Sequence, residues 1–301
     1  MAISRAQLAK ELEPGLNALF GLEYDRYDRE HAEIFDEESS DRAFEEEVML
    51  SGFSTAPVKY EGGAISFDDA QETYTARYTH ETIALAFSIT EEAVEDNLYD
   101  RLAGRYTRAL ARSMSQTKQI KAAAILNNAF DTSFPVGDGA ALCSSAHPSL
   151  SGNQRNQLTT AADLNETSLE QMLIDIAGLT DERGLKIAVR GMKLIIPKEL
   201  QFIAERVINS NLRSGTSDND INAMKAMGML PDGAVVNHFL TDSDAFFIKT
   251  DAPNGMKHFV RSPMSTGMEG DFETGNVRYK ARERYSFGFS DWRGMYGSPG
   301  A

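Results

Sequence analysis

The residues best suited by type to do chemistry are Cys143 and His147, four apart in the serine-rich loop LCSSAHPSLSGNQRNQL. A thiolate beside an imidazole is a nucleophile and its base. A lone cysteine in a loop is more often a small apolar filler, and that reading is preferred here. Asp218-Asn219-Asp220 begins like a calcium-binding loop but lacks the glycine and the twelfth-position glutamate that complete one. Asn165-Glu166-Thr167 spells a glycosylation sequon in a chain with no secretory signal. The histidines His31, His80, His147, His238 and His258 are scattered without metal-ligand spacing. The sequence contains no G-x-S-x-G elbow, no phosphate-binding P-loop, no G-x-G-x-x-G after a strand, no H-E-x-x-H and no CxxC. The expectation is a protein that is not an enzyme and holds no cofactor or metal.

What chemistry there is lies in charge. Of 301 residues, 30 are basic and 45 acidic, a formal net charge of −15. Residues 1–50 hold 5 basic and 14 acidic groups and residues 51–100 hold 2 and 10, so the first third carries −17 and the remainder, with 23 against 21, is near neutral. The charge belongs to one segment rather than to an even surface coat. Such a chain is not a sequence-reading nucleic-acid binder, which would need clustered Lys and Arg against phosphates. The longest apolar run, Ile83–Ile89, is far short of a membrane span, the N-terminus lacks the apolar core of a signal peptide, and the single cysteine excludes an internal disulfide. These features predict a soluble, intracellular chain.

Stepping along the elements, residues 4–12 read as a helix stopped by Pro14-Gly15. The acidic, aromatic-dotted segment after it reads as an extended arm that needs another surface. Residues 53–89 read as a projecting hairpin: Val58–Tyr60, a turn at Glu61-Gly62-Gly63, Ala64–Phe67, then a long run whose apolar parity (Tyr74, Ala76, Tyr78, then Ile83, Leu85, Phe87, Ile89) flips near His80-Glu81. A parity change inside one run implies a bulge or bend. At about 3.3 Å per residue, Glu72–Phe87 would span roughly 50 Å. Thr90 then caps the longest helix, to about Phe130, with Arg101, Arg105, Arg108 and Arg112 on one side. Their ordinary reading is a solvated basic face, and a contact with the acidic arm competes with it.

Thr167-x-x-Glu170 reads as a capping box opening a helix to about Gly184, Met192–Ile196 as a buried strand, and Pro197–Ile208 as a helix. A polar loop at 209–222 and short strands at Val235–Leu240 and Ala245–Lys249 complete a small α/β lobe over 164–272. In NVRYKARERYSFGFSDW, Val277, Tyr279, Ala281, Tyr285, Phe287 and Phe289 share one face and Arg278, Lys280, Arg282 and Arg284 the other, a long two-faced strand. An arm, a projecting hairpin and a long two-faced strand offer surfaces a monomer cannot cover, which argues for an assembly subunit.

The stretches SFDDAQETYTARYTHETIALAFSITEEAVEDNLYDRL, LCSSAHPSLSGNQRNQL, MKLIIPKELQFIAERVINS, VVNHFLTDSDAFFI and RYSFGFSDWRGMYGS, in this order and spacing, resemble the Hong Kong 97 type bacteriophage major capsid proteins, specifically the Mu-like major head subunits of tailed phages. The resemblance implies an α+β fold with residues 1–50 as N-terminal arm, 51–88 as extended β-hairpin loop, 89–163 and 273–301 as a peripheral domain with spine helix 90–130, and 164–272 as an axial domain whose tip is the loop at 209–222. It further implies self-assembly into pentamers and hexamers of an icosahedral shell around packaged double-stranded DNA, in the virion and assembled in the bacterial cytoplasm, with no membrane partner. A portal protein, a separate scaffold or maturation protein and a decoration or cement protein are the implied partners.

Some members of that family cross-link a loop lysine to an asparagine. Lys59 is the only lysine in the hairpin, and no motif identifies its partner or a catalytic acid. The competing readings are an encapsulin-like shell enclosing enzyme cargo, and a hydrolase built on Cys143 or a serine with His147. The candidate inter-subunit contacts are Lys59, Glu61, Asp68, Asp69, Glu72 and Arg77 on the hairpin, Arg101, Arg105, Arg108 and Arg112 on the helix, and Arg278, Lys280, Arg282 and Arg284 on the last strand. The alternative use of the acidic segment is to line the shell and repel packaged DNA, letting it slide.

Overall fold

The computed structural model describes residues 5–90, 92, 99–135, 137–213, 220–271 and 275–301. Glu91 and Leu98, expected in the long helix, and the loop tip at 214–219 with Asp218 and Asn219 lie outside the described residues, as do the side chains of Leu8, Leu12, Arg101 and Leu102.

Helix α1 (Arg5–Tyr24) runs straight through Pro14-Gly15, where the sequence predicts a stop. Proline deletes a backbone donor and destabilises an isolated helix by about 3 kcal/mol. The turns beyond it are retained because Leu16 and Phe20 bury against Ala103, Leu110, Ala111 and Met114 of the long helix α2 (Tyr99–Asn127) and against Tyr279 and Ala281. The N-terminal segment is therefore not an extended arm lacking a surface: it lies on its own subunit. A 3₁₀ turn at Glu30–Glu33 follows, and Ile34 and Phe35 insert beside Ala122, Leu126 and Phe247.

The first sheet has strand order β1 (Asp36–Ser39), β8 (Met256–Gly270), β9 (Val277–Phe289) and β4 (Glu81–Ile89), with β1 parallel to β8 and the other pairs antiparallel. The second has order β10 (Met295–Ser298), β7 (Phe246–Thr250), β5 (Gly191–Ile196) and β6 (Ala234–Val236). Its residues alternate between two cores. Leu194, Ile196, Phe246 and Ile248 face helices α3 (Glu166–Ala177) and α4 (Gln201–Asn209), while Ile195 and Phe247 face the end of α2. Burial on both faces is why Leu194–Ile196 and Phe246–Ile248 are unbroken apolar runs.

The third sheet is a separate hairpin of β2 (Phe44–Leu50) and β3 (Glu72–Thr79). The parity flip predicted at His80-Glu81 is real: β3 pairs with β2, and one residue later β4 pairs with β9 in a different sheet. The predicted pairing partner is wrong. Residues 51–71 contain no strand, so Val58–Tyr60 and Ala64–Phe67 form an exposed loop, and the true partner of β3 is the glutamate-rich FEEEVML that sequence reading assigned to the arm.

Smaller corrections have local causes. The cap of α3 is Asn165, whose side chain accepts from Ser168 N while Ser168 Oγ accepts from Asn165 N, so the box sits two residues earlier than Thr167/Glu170. The helix ends at Gly178, well before Gly184. The expected strand at Val235–Leu240 is shorter, Ala234–Val236. Strand β8 was not foreseen; its register shifts around Ser262 leave Pro263 outside the ladder, the position at which a strand tolerates proline.

Candidate assembly surfaces

Cys143 and His147 do not form a nucleophile–base pair. Cys143 is packed among Leu142, Ala129 and Phe247, and burial pushes its thiol pKa far up, away from the reactive thiolate. His147 is fully buried, stacked on Trp292 with ring centroids 4.2 Å apart, and held by Asp138 (2.6 Å) and Asn156 (3.0 Å). Asn156 is a node that sequence reading missed. Its Nδ2 donates to the carbonyls of Leu142, Trp292 and Met295, and its Oδ1 accepts from Ser144 N. The loop's chemistry is structural. Among the described residues, no group of three or more His, Cys, Asp or Glu is placed to hold a metal, and no helix is long and apolar enough to cross a membrane.

The acidic N-terminal third finds cations in its own subunit. Glu33 meets Lys193 at 2.6 Å, Asp36 meets Lys249 at 2.9 Å, Glu30 meets His238 at 2.7 Å, Glu38 meets Lys257 at 3.1 Å, and Glu81 meets Lys121. Lys193 and Lys249 sit on the second sheet and Lys257 on the first, so residues 30–38 strap the two sheets together. Hydrogen bonding to Lys193 pulls the Glu33 carboxyl below its usual range. The pairs are mostly exposed on the carboxylate side, which limits each to about 0–1 kcal/mol.

Beneath the strap, Glu283 on the inner face of β9 is buried against Lys118 (2.8 Å) and accepts from the Tyr24 hydroxyl at 3.3 Å. Burial raises its pKa, and the Lys118 ammonium opposes the rise. His31 and His258 meet edge to face at 5.4 Å in the same region. Burial, with Lys118 nearby, lowers them to about 4 and about 3.

The candidate contact residues fall on three surfaces. Arg105, Arg108 and Arg112 lie on the exposed side of α2; Arg112 lies 5.8 Å from the Tyr27 ring centroid. On β9, Arg278, Lys280 and Arg282 point outward, Arg278 pairing with Asp271 at 2.5 Å and Lys280 with Glu269 at 3.7 Å. Arg284 is half-buried near His80, whose pKa is lowered by burial and by Arg284.

On the hairpin, Lys59, Glu61, Asp69 and Glu72 are exposed, and Arg77 lies 4.1 Å over the Phe44 ring and 3.7 Å from Glu46. Asp68 accepts from the Ser54 hydroxyl and amide and pairs with Arg183 at 3.2 Å; these bonds hold its carboxyl down at about 2. Among the described residues, none of the candidate carboxylates meets a candidate arginine of α2 or β9 within the chain.

The largest uncovered apolar feature is the hairpin and its loop. Phe53, Val58, Tyr60, Ile65 and Phe67 are all exposed, Phe67 at 96%, and Phe44, Val48 and Leu50 line the outer face of β2. A concentration of exposed apolar side chains of this kind marks an interaction surface.

Comparison with known proteins adds the context. The capsid of an empty GTA particle superposes with a TM-score of 0.57 at 11% identity, covering 91% of this chain and 90% of that one. A virus-like particle from Pyrococcus furiosus gives 0.55 at 10% identity (94% and 97% covered), and Mycobacterium phage Adephagia gives 0.52 at 14% identity (99% and 98% covered). At such identities these likenesses establish the shared fold. No curated protein matches the sequence. A sequence model described as phage capsid protein matches residues 73–298, which takes in the hairpin's return strand, the long helix, the second sheet and the first sheet apart from β1. The chain belongs to the phage capsid protein family and is a major capsid protein.

Proposed function

We propose that this chain is the major head subunit of a Hong Kong 97 type, Mu-like tailed phage, assembling into the pentamers and hexamers of an icosahedral shell that encloses double-stranded DNA. The observation that carries the reading is the hairpin: a two-stranded sheet of its own, tipped by a loop over 51–71 whose aromatic and aliphatic residues have no cover among the described residues. A lone two-stranded ribbon is marginal in water, and a neighbouring copy is the partner that supplies what it lacks. In this reading residues 1–50 are the arm, folded back on its own chain and lending β2 to the hairpin, 51–88 the extended loop, 89–163 and 273–301 the peripheral domain, and 164–272 the axial domain, with β8 crossing into the peripheral sheet and β10 into the axial one. Arg105, Arg108 and Arg112 of α2, which meet no carboxylate among the described residues, and the outer face of β9 are then docking strips for acidic groups of an adjacent subunit.

The place of the protein is the virion shell, assembled in the host cytoplasm. Portal, scaffold or maturation protein, decoration protein and packaged DNA are its proposed partners. An encapsulin-like, cargo-enclosing shell is the second reading; the phage capsid family match favours the head subunit. Neighbouring genes separate the two: portal and terminase for one, an enzyme cargo for the other.

Electron microscopy and light scattering of the purified protein test assembly. Closed particles or ring-shaped capsomers of megadalton scale are the expected result. A monomer under all conditions, with the loop at 51–71 protected from proteases, would overturn the proposal.

A further inference from the structure

Lys257 is the only cation in contact with both the N-terminal strand and the hairpin among the described residues. It lies on β8, 6% exposed, opposite Asp36 in the β1 ladder and Gly288 in the β9 ladder. Its Nζ pairs with Glu38 of β1 at 3.1 Å and with Glu47 of β2. Glu47 in turn accepts from Ser290 Oγ, which also bonds the Tyr78 hydroxyl of β3. Five side chains on five segments thus form one continuous polar path, Glu38–Lys257–Glu47–Ser290–Tyr78.

Beside it, Phe259, Ala76 and Tyr78 make a small separate apolar cluster, with Lys257 Nζ 5.8 Å from the Phe259 ring centroid. The hairpin also meets the body through the Tyr74 hydroxyl, which donates to Ser290 O, and through Asp68, paired with Arg183, but the Lys257 path is the ionic contact that also reaches β1. The ionic balance is asymmetric: two carboxylates share a single ammonium. Burial alone would depress the Lys257 pKa, but hydrogen bonds to Glu47 and Glu38 outweigh it and raise the pKa. Taking the ammonium away leaves two carboxylates, the half-exposed Glu38 and the partly buried Glu47, without their shared counter-charge, which loosens the hold of both strands on β8.

We infer that Lys257 is a positioning residue that couples the N-terminal strand to the projecting hairpin, so that the two are held or released together. The coupling runs through one shared cation and not through backbone pairing, since β1 is hydrogen-bonded to β8 whereas the hairpin is a sheet of its own. At the hairpin's exit, His80 is pinned through both ring nitrogens, to Ser40 (2.9 Å) and Ser286 (3.0 Å). Ser40 directly follows β1, so this pin reinforces the same linkage from the other side.

Hydrogen–deuterium exchange of the purified full-length protein, with variants compared in the same assembly state, tests the inference independently of what the shell encloses. Lys257→Met should speed amide exchange about tenfold or more in 36–39 and in 44–50 together. Lys257→Arg should restore both. Lys249→Met, which removes only the Asp36 pair, should speed exchange in 36–39 while leaving 44–50 unchanged. Should Lys257→Met fail to fold, Lys257→Gln keeps hydrogen-bonding reach without charge and should show the same joint loosening. Loosening of one segment alone, of neither, or of the hairpin on Lys249→Met as well, would overturn the coupling.

Discussion

Gly288 lies directly beneath the ring of Tyr78: a Cβ built on Gly288 would stand 2.7 Å from Tyr78 Cε1 and 2.9 Å from Cδ1. The hairpin approaches the first sheet so closely at this point that no side chain fits between them. Gly288→Ala should therefore lift the hairpin base or shift β9, destabilising the subunit by about 1–3 kcal/mol through overpacking. Thermal denaturation reads the loss, and limited proteolysis of residues 51–71 reads the altered hairpin. An unchanged midpoint together with unchanged cleavage would mean the ring simply turns aside.

The fold below residue 20 onward was legible where both sides of a pattern lie within one segment. The flip at His80, the two faces of β9 and the buried MKLII strand are all written in local parity. What was not legible depends on partners far along the chain. In FEEEVML the glutamates Glu45 and Glu47 occupy the inward face and Phe44, Val48 and Leu50 the outward one, the reverse of the usual half-buried strand. The pattern makes sense only once Lys257, 210 residues away, is known to sit under Glu47. The same applies to the acidic surplus of the first third, whose counter-ions Lys193, Lys249 and Lys257 lie in regions of near-neutral composition.

Asn156 was invisible for a related reason: a polar residue in a polar loop carries no mark of its five hydrogen bonds. It is fully buried, donates to three carbonyls and accepts from Ser144 N and the His147 ring. Asn156→Ala strands several of these groups at about 1–3 kcal/mol each, and a total loss of at least about 3 kcal/mol is expected in denaturant titration. Asn156→Asp, which removes donors and adds a charge, should be no better tolerated.

Acid should weaken the junction between strap and body. His31 and His258 ordinarily titrate near 6.5, and in the folded chain they resist protonation until about 4 and about 3. Between these limits the unfolded chain binds more protons than the folded one, so stability is present above pH 6.5 and falls as pH falls toward 4. At about 1.4 kcal/mol per unit, each histidine accounts for roughly 3 kcal/mol over that window. Glu283, whose pKa is raised, works in the opposite direction above its unfolded value and offsets part of the histidine slope. Denaturation midpoints followed from pH 7 to 5 measure the effect. His258→Phe, which retains stacking on Phe287, should remove about half of the slope; an unaltered slope would assign it to other groups.

The arginines of α2 supply the sharpest test of how subunits meet. Arg105 and Arg108 stand on the exposed face of a rigid helix, and neither has a carboxylate partner among the described residues of its own chain. Within one subunit they contribute almost nothing, because no ion pair is formed. Reversing both, Arg105→Glu with Arg108→Glu, should leave the thermal midpoint and the far-ultraviolet circular dichroism of the subunit within error of the parent. In the proposed assembly, where α2 docks acidic groups of an adjacent copy, the same change places two carboxylates against that neighbour at every repeated interface. Single exposed pairs are worth only about 0–1 kcal/mol, but the repulsion multiplies around a closed capsomer, and assembly yield by light scattering should drop sharply at low salt. Added salt screens the repulsion over about 10 Å at 0.1 M and should restore part of the yield. Particles that form as readily with the reversed pair as without it would show that the helix face is solvated in the shell, and would move the docking site to the outward arginines of β9.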